Sequence, residues 1–216
     1  MTMQRTRIKI CGITRASDAL AAQDAGCDAI GFVFWQGSPR CISIDGAADI
    51  VRELSPMMTT VGVFVAPPPD EVLETCRRAA LNAAQLCGAL PDGDWPRVAR
   101  QIKLIRAVGV GKDREFAASE IDDFPDVLID HHSGGKLGGT GETFDWSILG
   151  NFGDSIRIWL AGGLHPGNVG EAIARVRPFA VDVSTGVEES PGIKSATKIA
   201  AFAAAVRAAD RAMTDD

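Results

Sequence analysis

The sequence predicts an α/β protein, a single (β/α)8 TIM barrel over residues 1–216. Short apolar runs rich in Val, Ile and Phe alternate with segments of helical period, and eight such runs occur. Runs of this kind are typical of parallel strands that are buried on both faces. The count of eight favours a closed barrel over an open doubly wound sheet, and a length of 216 residues suits one barrel domain.

The predicted strands are bounded by Gly, Asp or Pro. In chain order they are residues 8–11, 29–34, 60–65, 83–87, 102–108, 127–130, 156–161 and 179–184. Segments between them, such as 47–54, carry apolar residues at i, i+3, i+4 and i+7, which makes one stripe to lie on a sheet. Ser17 and Pro166 mark expected helix starts, and Gly26 marks an expected helix end.

The composition excludes several classes of partner. The formal net charge is -6, whereas binding nucleic acid requires a basic surface. A small anionic ligand is still permitted, because backbone N–H groups can hold it locally. No stretch approaches the roughly 20 apolar residues that span a bilayer, so we expect no membrane partner. Residues 1–9 lack the apolar segment of a signal peptide, and we expect a cytoplasmic protein.

The cysteines indicate neither a disulfide framework nor a structural zinc site. Their number is odd, and no C-x-x-C spacing occurs. They are Cys11, Cys27, Cys41, Cys76 and Cys87. We expect no metal and no cofactor.

Two glycine-bearing loops follow the seventh and eighth predicted strands. Glycine allows the backbone to approach a ligand closely, and these two loops form the recurrent phosphate site of such barrels. Two ordinary tight turns are the alternative, but glycines in both loops favour the phosphate site. The candidate phosphate-binding residues are Gly162, Gly163, Ser184, Thr185 and Gly186.

Chemically active side chains end three other strands or follow them. Position alone leaves Cys11 either a buried thiol or a thiolate base, and Asp130 either a loop cap or a proton donor and acceptor. Arg40 is either solvated or a fork for a carboxylate. Asp182 and Glu188 are candidates for supporting these groups, although carboxylates near loops are common.

The loop after the sixth predicted strand, residues 131–141, contains five glycines. Long barrel loops are usually functional, so we expect a mobile loop with a role at the site. His131 and His132 open the loop. Adjacent residues on an extended segment point in opposite directions, which disfavours a shared metal.

These segments together resemble the phosphoribosylanthranilate isomerase family of tryptophan biosynthesis, in order and over nearly the whole chain. The stretches that carry the resemblance are KICGIT at 9–14, GFVF at 31–34, SPR at 38–40, VGVFV at 61–65, QL at 85–86, LID at 128–130, GGTG at 138–141, TFDW at 143–146, LAGGL at 160–164 and VDVSTGVE at 181–188.

The resemblance implies an isomerase that carries out an Amadori rearrangement of N-(5-phosphoribosyl)anthranilate. It implies that Asp130 is the general acid and Cys11 the general base, and that Arg40 binds the anthranilate carboxylate. The two glycine loops would hold the sugar phosphate, and we count Asp182 among the substrate-binding residues. The partner is then a small phosphorylated molecule, and we expect a monomer rather than a homodimer.

One departure from the family concerns Cys87, which stands where its members usually have histidine. A non-catalytic or differently specific phosphosugar-binding barrel is therefore the alternative function. The related aminoaldose isomerase of histidine biosynthesis has an aspartate where Cys11 ends the first strand, which speaks against that activity. Indole-glycerol-phosphate synthase would need a catalytic lysine, and no predicted strand ends in one.

Overall fold

The computed structural model describes residues 5–110, 121, 123–131 and 156–214. Eight parallel strands form a closed barrel in chain order, and the last pairs with the first. The strands are β1 (Arg7–Cys11), β2 (Ala29–Val33), β3 (Thr59–Val65), β4 (Ala83–Cys87), β5 (Lys103–Val110), β6 (Asp126–His131), β7 (Arg157–Leu160) and β8 (Ala180–Val183). All eight predicted runs are strands, so the predicted barrel is confirmed.

In the part of the chain that the structure describes, helices lie outside the barrel and follow β1, β2, β3, β4, β7 and β8. They are α1 (Ala16–Asp24), α2 (Ile44–Glu53), α3 (Pro69–Arg78), α4 (Trp95–Ala99), α5 (Val169–Val176) and α6 (Ala196–Thr214). None of the helices among the described residues is both long and apolar enough to span a bilayer. The glycine-rich loop predicted after β6, apart from His131, lies outside the described residues, as does TFDW at 143–146.

The helix boundaries differ from the prediction at two positions. Ser17 lies inside α1, because that helix begins one residue earlier and Arg15 precedes it. Pro166 lies ahead of α5, which begins at Val169. Gly26 follows α1 with a φ of +73°, a conformation that glycine adopts without strain, so this predicted helix end is confirmed.

Alternation along each strand divides the core into two layers. Ile8 and Ile10 of β1 point outward and pack with the helices, whereas Lys9 and Cys11 point into the barrel. The amino-terminal half of the interior is apolar. Its buried residues are Ala29, Val61, Ala83, Ile105, Leu128, Trp159, Ala161 and Ala180. Beyond this apolar layer, the interior becomes polar towards the carboxyl ends of the strands, where Lys9, Gln85 and Asp182 are buried.

A small antiparallel hairpin after β8 was not predicted. It consists of β9 (Glu188–Ser190) and β10 (Ile193–Lys194), and a short 3-10 turn at Thr185–Val187 leads into it. Strands of three and two residues are too short to give a periodic pattern. The hairpin returns the chain to the mouth of the barrel and places Lys194 next to Ser184 and Glu188.

Candidate active site

A cavity of about 170 Å³ opens at the carboxyl ends of the strands. It brings together side chains and loops that are distant along the chain. Of the predicted site residues, the cavity is lined by Cys11, Arg40, Asp130, Gly162, Gly163, Asp182, Ser184 and Thr185. The thiol at the end of β1 and the carboxyl at the end of β6 therefore face one hollow, as the predicted chemistry requires.

Cys11 lies at the end of β1 and is 9% exposed. Burial raises the pKa of its thiol above the ordinary value, because a thiolate is poorly solvated there. Lys9 opposes this effect most strongly, and Lys194 also opposes it, whereas Asp182 adds to it. The sulfur thus lies among charges of both signs.

Lys9 occupies the interior of the barrel directly below Cys11, with no exposed surface. Its Nζ donates to Oδ1 of Asp182 and to Oε1 of Gln85, both at 2.9 Å. Burial disfavours the ammonium, but Asp182 and Cys11 raise the pKa of Lys9 above its ordinary value. Lys9 therefore stays charged, and the predicted substrate-binding residue Asp182 already has a cationic partner.

Glu188 joins two cations at the mouth of the barrel. Arg40 donates from Nε and Nη2 to the two carboxylate oxygens at 2.8 and 2.7 Å, and Lys194 donates to Oε1 at 2.7 Å. Burial alone would raise the pKa of Glu188, but the hydrogen bonds from Arg40 and Lys194 hold it below its ordinary value. The carboxylate therefore fixes one edge of the Arg40 guanidinium.

The loops after β7 and β8 pack against each other. Gly162 and Gly163 have φ values of +86° and +63°, which turn the backbone sharply after β7. A methyl group on Gly186 would lie 2.0 Å from the carbonyl oxygen of Leu164, so only glycine fits there. Nζ of Lys194 donates to both the carbonyl and the hydroxyl of Ser184 at 3.2 Å.

Cys87 ends β4 and also lines the cavity. Burial raises the pKa of its thiol to about 11, so the thiol is neutral near pH 7. Nε2 of Gln85 donates weakly to its sulfur at 3.6 Å. In the part of the chain that the structure describes, no cluster of three or more His, Cys, Asp or Glu could hold a metal ion.

Three polar residues of this site were absent from the predicted set: Lys9, Gln85 and Lys194. Lys9 and Gln85 carry a detectable signal, since each is a polar residue inside an apolar strand run, at an inward position of the alternation. Lys194 carries no such signal, because its position depends on the short hairpin.

Comparisons with known proteins identify the family of this chain. Residues 8–205 match the family model of N-(5'-phosphoribosyl)anthranilate (PRA) isomerase. The chain belongs to the phosphoribosylanthranilate isomerase family. A relative from Pseudomonas putida (strain W619), N-(5'-phosphoribosyl)anthranilate isomerase, is 48% identical over 208 residues, which cover 96% of this chain and 100% of the relative.

Solved structures of the family have the same fold. A crystal structure of phosphoribosyl anthranilate isomerase from Thermotoga maritima has a TM-score of 0.84 and 40% identity, covering 94% of this chain and 99% of that one. A second phosphoribosyl anthranilate isomerase structure contains reduced 1-(o-carboxyphenylamino)-1-deoxyribulose 5-phosphate. Its TM-score is 0.80 and its identity 39%, with the same coverage of both chains.

Proposed function

We propose that this chain catalyses the Amadori rearrangement of N-(5-phosphoribosyl)anthranilate to 1-(2-carboxyphenylamino)-1-deoxyribulose 5-phosphate, in tryptophan biosynthesis. The observation that carries the proposal is the convergence of Cys11 and Asp130 on one cavity in a member of the isomerase family. The reduced product analogue bound to a relative supports the same substrate class for this chain.

In this mechanism Asp130 begins the reaction as general acid. Its proton goes to the furanose ring oxygen, the C1′–O bond breaks, and the nitrogen lone pair forms a C=N bond to give an open-chain iminium. A positioned carboxyl group suits this step, because general acid catalysis needs a proton donor within hydrogen-bond reach of the leaving oxygen. The place of Asp130 at the end of β6, on the cavity wall, supports the role.

Cys11 then acts as general base. Its thiolate removes the C2′ proton, and the C–H electrons form the double bond of an enolamine while the iminium nitrogen is neutralised. The positive iminium acidifies that proton, so a thiolate is basic enough. Protonation at C1′ and loss of the hydroxyl proton at C2′ then give the ketone, without a metal or other cofactor.

The remaining predicted residues bind the two charged ends of the substrate. Nε and Nη2 of Arg40 are held by Glu188, which directs the Nη1 edge of the guanidinium as a fork for the anthranilate carboxylate. The backbone N–H groups of the β7 and β8 loops would hold the phosphate, a common arrangement in this fold. The residues of this phosphate site are Gly162, Gly163, Ser184, Thr185 and Gly186, and Asp182 would contact the sugar.

We further infer a cytoplasmic enzyme that is active as a monomer. All five cysteines are free, which suits a reducing compartment. In this proposal the catalytic groups and both anion sites come from one chain, so turnover requires no second subunit.

The decisive test is turnover by purified protein. Freshly prepared N-(5-phosphoribosyl)anthranilate is added, and substrate and ketose product are separated by liquid chromatography. Wild type should convert the substrate. Cys11→Ser and Asp130→Asn keep the side-chain shape but remove the base and the acid, and each should lower kcat by about 10²- to 10⁴-fold.

Product binding separates this proposal from a non-catalytic barrel. Both variants should bind the product within a few-fold of wild type by calorimetry, since neither substitution removes a carboxylate or phosphate contact. Tight product binding by wild type without any turnover would support the binding protein instead. Wild-type rates in either variant would refute the assigned acid and base.

A further inference from the structure

The mechanism above gives no role to Lys9, a buried charge that lies next to the proposed base. Lys9 is among the largest side chains that the barrel buries completely, and an ammonium inside a protein is expensive unless it is paired. Lys9 forms an ion pair with Asp182 between β1 and β8. Two apolar side chains at these positions would stabilise the fold at least as well, because buried ion pairs seldom add net stability. The position of Lys9 therefore indicates a functional role in addition to a structural one.

The surroundings of Gly31 show what Lys9 is next to. A methyl group on Gly31 would lie 2.9 Å from Sγ of Cys11, 3.2 Å from Cε of Lys9 and 3.3 Å from its Nζ. The sulfur and the ammonium thus converge on one point above the β2 backbone. Glycine at this position leaves the space between them open, since any side chain would push in between.

We propose that Lys9 is a positioning residue for the reaction: its ammonium, fixed by Asp182 and Gln85, stabilises the thiolate of Cys11 at the floor of the cavity. This inference rests on the proposed role of Cys11 as general base. It assigns to Lys9 no contact with the substrate, because the ammonium is fully buried below the sulfur.

The other charged groups around the sulfur agree with this role. The thiol of Cys87 faces Cys11 from β4 and, being neutral, adds no charge. Lys9 and Asp182 face Cys11 from the barrel interior, Arg40 from the loop after β2, and Lys194 from the hairpin. Glu188 holds the last two, so these five side chains comprise three cations and two carboxylates. A thiolate brings that group to neutrality, whereas a thiol leaves it with one positive charge.

The balance of effects on Cys11 identifies Lys9 as the main stabilising partner. Burial raises the pKa of the thiol, and Lys9 is the strongest single influence in the opposite direction. Asp182 acts against Lys9, but more weakly. The pair as a whole therefore favours the thiolate, and losing only the lysine would be worse than losing both.

This reasoning predicts an order of Cys11 pKa values in a four-member cycle. Asp182→Asn should titrate lowest, then wild type, then Lys9→Met with Asp182→Asn, and Lys9→Met alone should titrate highest. The double variant should lie about one pKa unit above wild type, because the loss of the cation outweighs the loss of the more weakly acting carboxylate. The measurement is the ¹³Cβ chemical shift of Cys11 against pH in the unliganded protein labelled at cysteine, with the resonance assigned by its loss in Cys11→Ser.

The double variant also guards against a folding defect. Lys9→Met alone leaves the buried Asp182 carboxylate unpaired, whereas the double variant removes both charges of the pair. Wild type, Asp182→Asn and the double variant therefore suffice for the comparison. Lys103→Met at the opposite end of the barrel is the matched control and should not move the Cys11 titration. Because the base must be deprotonated, a higher Cys11 pKa moves the acidic limb of the pH profile of kcat/KM to higher pH.

The outcomes separate this inference from the proposed function. A Cys11 titration in the double variant equal to that of wild type would overturn the role of Lys9, even if Cys11→Ser is inactive. Full activity of Cys11→Ser would overturn the proposed base itself, whatever the Lys9 variants do. The predicted order together with an inactive Cys11→Ser would support both.

Discussion

Both ends of the barrel contain a hollow lined by charged and aromatic side chains. The hollow at the amino ends of the strands has a volume of about 460 Å³, against about 170 Å³ at the carboxyl ends. At the amino end, Arg157 pairs with Asp126, and the guanidinium carbons of Arg7 and Arg157 lie 4.2 and 5.3 Å from the centre of the Phe179 ring. Volume alone would therefore not single out the carboxyl end.

The two ends differ in how their charges are buried. The Arg157 side chain is half exposed, so water solvates its ion pair and little energy depends on it. At the carboxyl end, Lys9 and Lys194 have no exposed side-chain surface, and each donates to a buried carboxylate. Buried charges beside a thiol and a carboxyl that share one cavity are typical of catalytic sites. Chemistry, rather than volume, therefore distinguishes the carboxyl end as the candidate active site.

The largest effect that tests this comparison is expected for Gly186→Ala. The added methyl would collide with the backbone of Leu164, which cannot rotate away as a side chain could. We expect a loss of stability of about 1 to 3 kcal/mol from overpacking. The KM for the phosphorylated substrate should also rise about tenfold, which corresponds to about 1.4 kcal/mol of binding.

A matched glycine controls for the added methyl itself. Gly170→Ala in α5 places its methyl 3.9 Å from Cβ of Ala209, an ordinary contact. This variant should keep the wild-type KM and melt no lower than wild type, since alanine is favoured over glycine in helices. An unchanged KM in Gly186→Ala would argue against a phosphate site in these loops.

A smaller effect is expected for Cys87→Ala, which tests the unusual residue at the mouth. A thiol with a pKa of about 11 does not titrate near neutrality, so it is neither base nor acid there. Its loss removes one weak hydrogen bond from Gln85, and kcat/KM should fall by less than about tenfold.

The pH profile of kcat/KM tests whether Cys87 takes part in proton transfer. Cys87→Ala should keep the wild-type profile below pH 9, whereas Cys87→His should add a titration near an imidazole pKa of about 6.5. A hundredfold loss in Cys87→Ala, or a lost limb of its profile, would give Cys87 a direct part in proton transfer.

The smallest effect is expected at the amino end. Arg157→Met breaks a half-exposed ion pair, so stability should fall by about 1 kcal/mol and kcat/KM should stay within about twofold of wild type. Urea unfolding and steady-state kinetics measure the two quantities, with Arg157→Lys as the charge-conserving control. A tenfold fall in kcat/KM would show that the amino end also contributes to catalysis and would contradict the distinction between the two hollows.

Local patterns in the sequence predict most of the fold and the positions of the reactive residues. Apolar runs identify all eight strands, because a strand that is buried on both faces is apolar along most of its length. In a parallel barrel the ends of the strands then locate Cys11 and Asp130 at one face without coordinates. The loop glycines are also predictable, since a sharp turn or a close backbone approach demands them.

Only the tertiary structure decides how the charges at that face are paired. The partners Lys9 and Asp182 are 173 residues apart and meet because β8 closes against β1. Lys194 reaches Ser184 and Glu188 through a hairpin that has no periodic signal, and Arg40 meets Glu188 rather than standing alone. A pattern in the sequence reports which face of a strand is buried, but the energy of a buried charge depends on the distance to its partner, and closure of the barrel sets that distance.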